Sequence, residues 1–349
     1  MRLLFITQKV DKEDNILGVY HQWIEELAVK MEKLTVVCLY RGRVELPSNV
    51  RVYSLGKERI ASRFLYLIKF YFYLWKSCGE YDAVFVHMNP EYILLGGAFW
   101  KLFRKKIFLW YNHPLGNWRV WLAAKFCQKV FCTSPFAFAA NLEHSQIMPV
   151  GIDIKKFRNL EVKKSKNSIL YLGRISPIKN IEYLIKAAKI LKDRGIDFSL
   201  KIVGSPARPE DFTYEKQIRE SAMDLGEIIS FSSAVPNYEA PEIYNNYEIA
   251  VNLTDTGSLD KAMLEAMACE NLVLVSNKAL QVVLPPKCFF EEKNSSDLAD
   301  KLEELLKLSQ EKKTEWGRNF RQYVINNHDL FKLADRLILE IQSIDSRNQ

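Results

Sequence analysis

Nowhere in these 349 residues do two cysteines stand as Cys-x-x-Cys. The six cysteines are scattered. Cys38, Cys132 and Cys288 fall in apolar or strand-like runs, so they read as buried reduced thiols, and the spacing argues against a zinc site. No secretory pattern is visible either: Met1–Thr7 (MRLLFIT) is too short for an apolar leader core and runs straight into polar residues. The longest apolar run, Phe64–Trp75 (FLYLIKFYFYLW), contains Lys69 and falls short of the roughly 20 residues that span a bilayer. These absences point to the cytosol. No short-period repeat or low-complexity segment appears.

What is present is the composition of a soluble globular protein, 48% apolar and 26% charged. The length exceeds one ordinary core and predicts two domains. A net charge of +7 suits an anionic ligand or an anionic membrane surface.

Short apolar runs alternate with helical periodicity throughout. Strands are expected at Arg2–Thr7, Leu34–Leu39, Ala83–His87, Lys106–Trp110, Val130–Thr133 and Gln146–Val150. Between them lie a polar loop over 8–17, a helix from Gly18 to Met31, one at about 60–78, and one ending near Phe103. The charged, aperiodic segment 161–167 (EVKKSKN) marks a domain boundary. The alternation then resumes, with strands at Ser168–Leu172, Ser199–Val203, Ile228–Phe231, Ile249–Leu253 and Leu272–Ser276. Helices are expected at 180–194, near 213–225 and near 239–246, and the tail 296–343 is helical. The pattern predicts an α/β protein of two Rossmann-like parallel sheets, 1–160 and 161–327, with a closing helical segment, 328–349, that would pack back on the first.

In open parallel sheets ligands sit beyond the carboxyl ends of the strands. That singles out 8–18, 87–91, Asn112-His113, 173–179, Gly204 and 254–260. In Gly173–Asn180 (GRISPIKN), Asn180 is a good N-cap residue, with Ile181, Leu184, Ile185 and Ala188 forming the stripe behind it. Arg174 and Lys179 then stand at a helix start, where the dipole disfavours cations. A bound diphosphate would resolve the conflict; two solvated surface charges are the plainer alternative.

In TDTGSLDKAMLEAMACENLVLVSN (254–277), Leu259, Ala262, Met263, Ala266 and Met267 share one buried helix face. Gly257, Ser258 and Leu259 offer backbone N–H groups at the helix start. Lys261 and Glu265 read as a surface ion pair, or Glu265 accepts two hydrogen bonds from a vicinal diol such as a ribose. His113 follows a strand; structural and catalytic roles both fit it. Phe64–Trp75, bracketed by Arg59, Arg63 and Lys76, reads as a half-buried Rossmann helix or as a membrane-surface helix, with Lys101, Arg104, Lys105 and Lys106 adding to the basic charge.

GRISPIKNIEYLIKAAKIL, GSLDKAMLEAMACENLVLVS and PVGIDIKKF (149–157) resemble three elements of the retaining GT-B glycosyltransferases of family 4 (glycosyl transferases group 1). The likeness is specific in the second half and looser in the first. It implies a GT-B fold, two Rossmann-like domains facing a cleft, with a nucleotide sugar held mainly by the second. It implies that Arg174 and Lys179, beside Gly173, grip the diphosphate. Glu265 would hold the ribose, Gly257, Ser258, Leu259 and Asp260 would meet the transferred sugar, Gly18 would approach the phosphate, and His113 would lie near sugar and acceptor. The reaction implied is metal-independent transfer of a hexosyl group to a glycan or lipid-linked acceptor, with Arg174, Lys179 and the helix dipole stabilising the leaving group. No Asp-x-Asp motif follows a strand, in keeping with no metal cofactor, and 11–14 (Asp-Lys-Glu-Asp) reads as a solvated rim.

Two positions depart from the family pattern. Gly257 stands where the first of two glutamates eight apart is usual, and Glu270 where glycine is usual. The first departure motivates an inactive nucleotide-sugar-binding protein as a rival reading; it argues against the other rival, a GT-B sugar-nucleotide epimerase, which needs paired acids in the cleft. The basic residues form no aromatic-interleaved stripe, so a nucleic-acid partner is not expected.

Overall fold

A computed structural model describes residues 1–15, 17–60 and 62–343. Ile16, in the loop expected over 8–17, and Ala61, in the helix expected from about 60, lie outside them. The chain divides into two compact units, Met1–Gly151 with Leu330–Gln349, and Ile152–Asp329.

The first unit runs β1 (Arg2–Val10), α1 (Val19–Val29), β2 (Lys33–Arg41), β3 (Val50–Ser54), α2 (Arg63–Lys76), β4 (Ala83–His87), α3 (Glu91–Leu102), β5 (Lys106–Trp110), α4 (Trp118–Ala124), β6 (Lys129–Cys132) and β7 (Ser145–Ile147). Its strands form one parallel sheet in the order β3-β2-β1-β4-β5-β6-β7. Period-2 geometry sends alternate side chains of β1 to opposite faces. Leu3 and Phe5 join one core, with Trp23 and Leu27 of α1. Leu4 and Ile6 join the other, with Phe70, Leu74, Ile93 and Trp100 of α2 and α3. Both faces being covered, β4 is buried along its whole length, as parallel strands require.

The second unit runs β8 (Ser168–Leu172), α5 (Ile181–Asp193), β9 (Ser199–Val203), α6 (Asp211–Ser221), β10 (Ile229–Ser232), α7 (Ala240–Asn246), β11 (Ile249–Asn252), α8 (Lys261–Ala268), β12 (Leu272–Val275), α9 (Ser295–Leu306) and α10 (Gln310–Asn327). Its parallel sheet has the order β10-β9-β8-β11-β12. The final helix, α11 (Leu330–Gln342), belongs to the first unit, where Leu330, Leu333, Leu337 and Ile341 enter the α1 core. Glu340 pairs with Lys129 and Gln146 there.

The structure adds elements that the pattern alone does not give. β3 (VRVYS) is a five-residue, half-buried edge strand in which exposed Arg51 leaves no continuous apolar run. α4 is only seven residues long, too short for periodicity to register, and Asn117 caps it by accepting from Arg119 N at 2.9 Å. The tail expected as helical over 296–343 is three helices, Ser295–Leu306, Gln310–Asn327 with Ser309 as its N-cap, and Leu330–Gln342. The segment 161–167 is tied to the second unit rather than running free. Ser165 N donates to Asn246 O at 2.9 Å, and Lys164 Nζ to Cys269 O at 3.0 Å.

Candidate functional site

Strand order fixes where a ligand can enter each sheet. In the second unit the order reverses between β8 and β11, so the loops after these two strands part to opposite faces and leave a crevice at their carboxyl ends. Those loops are 173–180 and 253–260, which carry most of the residues singled out by sequence. The backbone is tight here: a Cβ on Gly204, after β9, would stand 1.9 Å from Gly173 O. Glycine is therefore required at 204 for the two strand ends to meet.

Arg174 is half-buried, and its carbonyl accepts from Tyr171 Oη at 2.8 Å. Its guanidinium makes no hydrogen bond or ion pair among the described residues. Two residues on, the Ser176 hydroxyl is buried and likewise has no protein partner. Lys179 differs. Its ammonium reaches Asp260 Oδ2 at 2.7 Å and Thr254 Oγ1 at 3.2 Å, joining the two loops. The charge conflict expected at this helix start is thus met within the protein at Lys179, and open only at Arg174.

Asn180 does not cap α5, contrary to expectation. Its backbone is left-handed (φ 53°), a conformation asparagine tolerates, which turns the side chain away from the helix. Its Nδ2 donates to Leu253 O and Asp255 Oδ1, both at 2.9 Å. Tyr214 Oη takes up the orphaned Ile181 N–H at 2.8 Å instead.

α8 starts later than the sequence suggests. Asp260 is its N-cap, accepting from Ala262 N at 3.2 Å, so Gly257, Ser258 and Leu259 lie in the loop ahead of the cap rather than in the first turn. The second carboxylate oxygen of Asp260 is held by Lys179 and by Asn252 Nδ2 at 2.8 Å. Burial would raise its pKa; Lys179 and these hydrogen bonds overcome that and hold the carboxylate at about 2. The loop is pinned from outside: Thr256 N donates to Glu292 Oε1 at 2.8 Å, Ser258 O accepts from Asn277 Nδ2 at 2.9 Å, and Asp255 pairs with Lys293 at 2.9 Å.

Glu265 is buried, so it is not half of a surface ion pair. Burial pushes its pKa up to about 7, with Lys261 one turn earlier opposing the shift. Burial in turn lowers Lys261 to about 8. Glu265 accepts from Asn237 Nδ2 at 3.0 Å, and Asn237 Oδ1 accepts from Lys156 Nζ at 3.0 Å. Neither Asn237 nor Lys156 was singled out by sequence. Lys156 lay within the PVGIDIKKF segment, but only the fold carries it to Asn237. Of the expected apolar face of α8, Met263, Ala266 and Met267 are buried, while Leu259 precedes the helix.

The remaining candidates lie in the first unit. Gly18 precedes α1 with ordinary helical φ; a Cβ there would stand 2.5 Å from Asp14 O, so its own loop demands glycine. Lys12 of that loop is exposed, as a solvated rim would be, whereas Asp11 and Asp14 are part-buried: Lys9 bridges Asp11 at 3.1 Å and Asp14, and Asp11 accepts from Arg43 N. His113 is exposed in the loop after β5, its Nδ1 held 2.9 Å from Leu115 O and 3.0 Å from Leu115 N. Glu270 has left-handed backbone (φ 58°), which accounts for a preference for glycine at that position, and its carboxylate accepts from Asn159. Among the described residues no group of three His, Cys, Asp or Glu side chains could hold a metal ion. A cavity of about 530 Å³, lined in part by Lys164, Glu248 and Lys313, opens at the opposite, amino ends of β8, β11 and β12, away from these loops.

Two Rossmann-like parallel-sheet units of this kind define the GT-B glycosyltransferase fold. Solved structures agree over nearly the whole chain. Anabaena HepE, in complex with UDP and glucose, has a TM-score of 0.77 at 14% identity, covering 98% of this chain and 100% of its own. Sucrose-phosphate synthase from Thermosynechococcus elongatus has a TM-score of 0.79 at 16% identity, covering 99% and 100%. Residues 153–323, nearly half of the chain, match the model of the glycosyl transferases group 1 family. D-inositol 3-phosphate glycosyltransferase of Paenarthrobacter aurescens is 27% identical over 151 residues, 40% of this chain and 36% of that protein. Lipopolysaccharide 1,2-N-acetylglucosaminetransferase of Salmonella typhimurium is 30% identical over 129 residues, 35% and 33%. The chain thus spans about a third of the length of the curated relatives it matches.

Proposed function

We propose that the chain is a retaining glycosyltransferase that moves a hexosyl group from a nucleoside-diphosphate sugar to a glycan or lipid-linked acceptor. The observation that carries this reading is Arg174: a half-buried guanidinium without a protein acceptor, at the carboxyl end of β8, beside the loop of α8. A buried cation left unpaired is costly, and a diphosphate offers the bidentate oxygens it lacks. Lys179, with donors to spare beyond Asp260 and Thr254, adds charge to the same anion. Glu265 accepts the ribose hydroxyls, and the 257–260 loop meets the sugar. That UDP complexes exist for a protein of this fold agrees with a nucleotide donor.

In the reaction the acceptor oxygen bonds to the anomeric carbon on the face from which the diphosphate oxygen departs, and the acceptor proton passes to the departing phosphate. Arg174 and Lys179 stabilise the charge that builds on the leaving group, in place of a metal ion. Gly18 and His113, on the first unit, keep the roles that family likeness gives them. A lipid-linked acceptor would bring the enzyme to a membrane surface.

The test is incubation with radiolabelled UDP-, GDP- and ADP-sugars and a glycolipid or glycan acceptor panel. Transfer, or slow hydrolysis with retained configuration, is expected. Gly257 motivates a second reading, an inactive sugar-nucleotide-binding protein; tight binding without turnover supports that one, and an epimerised sugar nucleotide as product supports the epimerase.

A further inference from the structure

The first unit buries far less of its helical surface than its sequence offers. Along α2 only Phe70 and Leu74 are buried, both in the core beneath. Phe64, Ile68, Phe72 and Trp75, at i, i+4, i+8 and i+11, make an outward stripe, with Phe64 70% and Trp75 71% exposed. The stripe continues onto α3: Trp75 meets Phe103 at 6.2 Å between ring centroids, and Phe103 meets Phe99 at 4.6 Å. Tyr71 Oη donates to Leu95 O of the same helix at 3.0 Å. α4, on the same side of the sheet, exposes Trp118 and Trp121. So many large apolar side chains on one face exceed the scatter of single exposed residues that any surface shows.

Charge decides what covers this face. The three helices contain Arg63, Lys69, Lys76, Lys101 and Arg119 against one acid, Glu91. Arg104, Lys105 and Lys106 follow directly. Arg63, Lys76, Lys101 and Arg104 make no ion pair with any described residue. A symmetric pair of chains would set this patch against its own copy, bringing like charges together. An anionic bilayer instead matches every part of it: aromatic rings sit at the headgroup level, and basic side chains extend to the phosphates.

We propose that the outer face of α2, α3 and α4 docks the protein onto anionic lipid. The proposal deepens the lipid-linked acceptor reading but stands on these helices alone. The experiment floats the full chain with vesicles of phosphatidylcholine containing phosphatidylglycerol, and with phosphatidylcholine alone, at low and high salt. Recovery with the anionic vesicles is expected, falling severalfold at high salt. Phe72→Ser with Trp75→Ser, and separately Arg63→Glu with Lys76→Glu, should each cut recovery at least tenfold. Their melting temperatures should hold, because all four side chains are exposed. The proposal is overturned if the wild type does not float, if both variants float like it, or if sedimentation shows self-association that the variants abolish while vesicles go unbound. A protein that floats but turns over no nucleotide sugar sinks the transferase reading alone.

Discussion

The Lys179 ammonium stands 2.7 Å from Asp260 Oδ2, and through that contact the loop after β8 is tied to the N-cap of α8. One carboxylate thus caps a helix and neutralises a cation of the adjoining loop. Asp260 is held at about 2, below its ordinary 3.8, so its stabilisation is fully present above about pH 4 and is lost as pH falls through about 2. That difference corresponds to about 2 kcal/mol. Asp260→Asn should lose about that much at pH 7 and should flatten the stability profile between pH 4 and 2, as read by denaturant unfolding. An unchanged midpoint at pH 7 would contradict the pairing.

Arg174→Ala separates binding from folding. Its guanidinium holds no protein group, so the melting temperature should stay within a degree or two of wild type. Transfer should fall by about 10²-fold or more, the scale of losing one charged stabiliser of a leaving group. Arg174→Lys should restore little, since an ammonium lacks the planar fork. Activity within twofold of wild type in the alanine variant would remove Arg174 from the site.

Glu265 predicts a pH dependence of opposite sign. Its folded pKa of about 7 lies above its ordinary 4.5 because of burial, so native stability falls as pH rises from about 4.5 through about 7. If the ionised carboxylate accepts the ribose hydroxyls, UDP binding measured by calorimetry should strengthen over the upper part of that range. Glu265→Gln should remove both trends. A binding profile equally steep in the variant would show that another group titrates.

Asn180→Gly keeps the left-handed backbone while deleting the bonds to Leu253 O and Asp255. Hydrogen exchange should speed up over 253–260, and the KM for donor should rise more than kcat falls. Asn180→Ala, strained at φ 53°, should also lower the melting temperature.

The sequence made most of this legible wherever one element carried its own signal. Strands such as AVFVH and LVLV announce themselves because parallel strands covered on both faces are continuously apolar. Arg174 and Lys179 stood out because cations at a helix start are awkward. What stayed hidden depended on distant partners. Asn180 looks like a cap in one dimension; its partners lie more than seventy residues on. Asp260, read as a sugar contact, caps α8 with one oxygen while Lys179 and Asn252 hold the other. Asn237 and Lys156 meet at Glu265 only after three separate chain segments converge. The partly buried β3 and the seven-residue α4 are too weakly patterned to be found by period.

The most direct measurement is a crystal structure of the protein soaked in turn with millimolar UDP, GDP and ADP. One of them should bind with its diphosphate on the Arg174 guanidinium and its ribose on Glu265, beyond the carboxyl ends of β8 and β11. A nucleotide bound at another place, with Arg174 and Glu265 making no contact to it, would contradict the account.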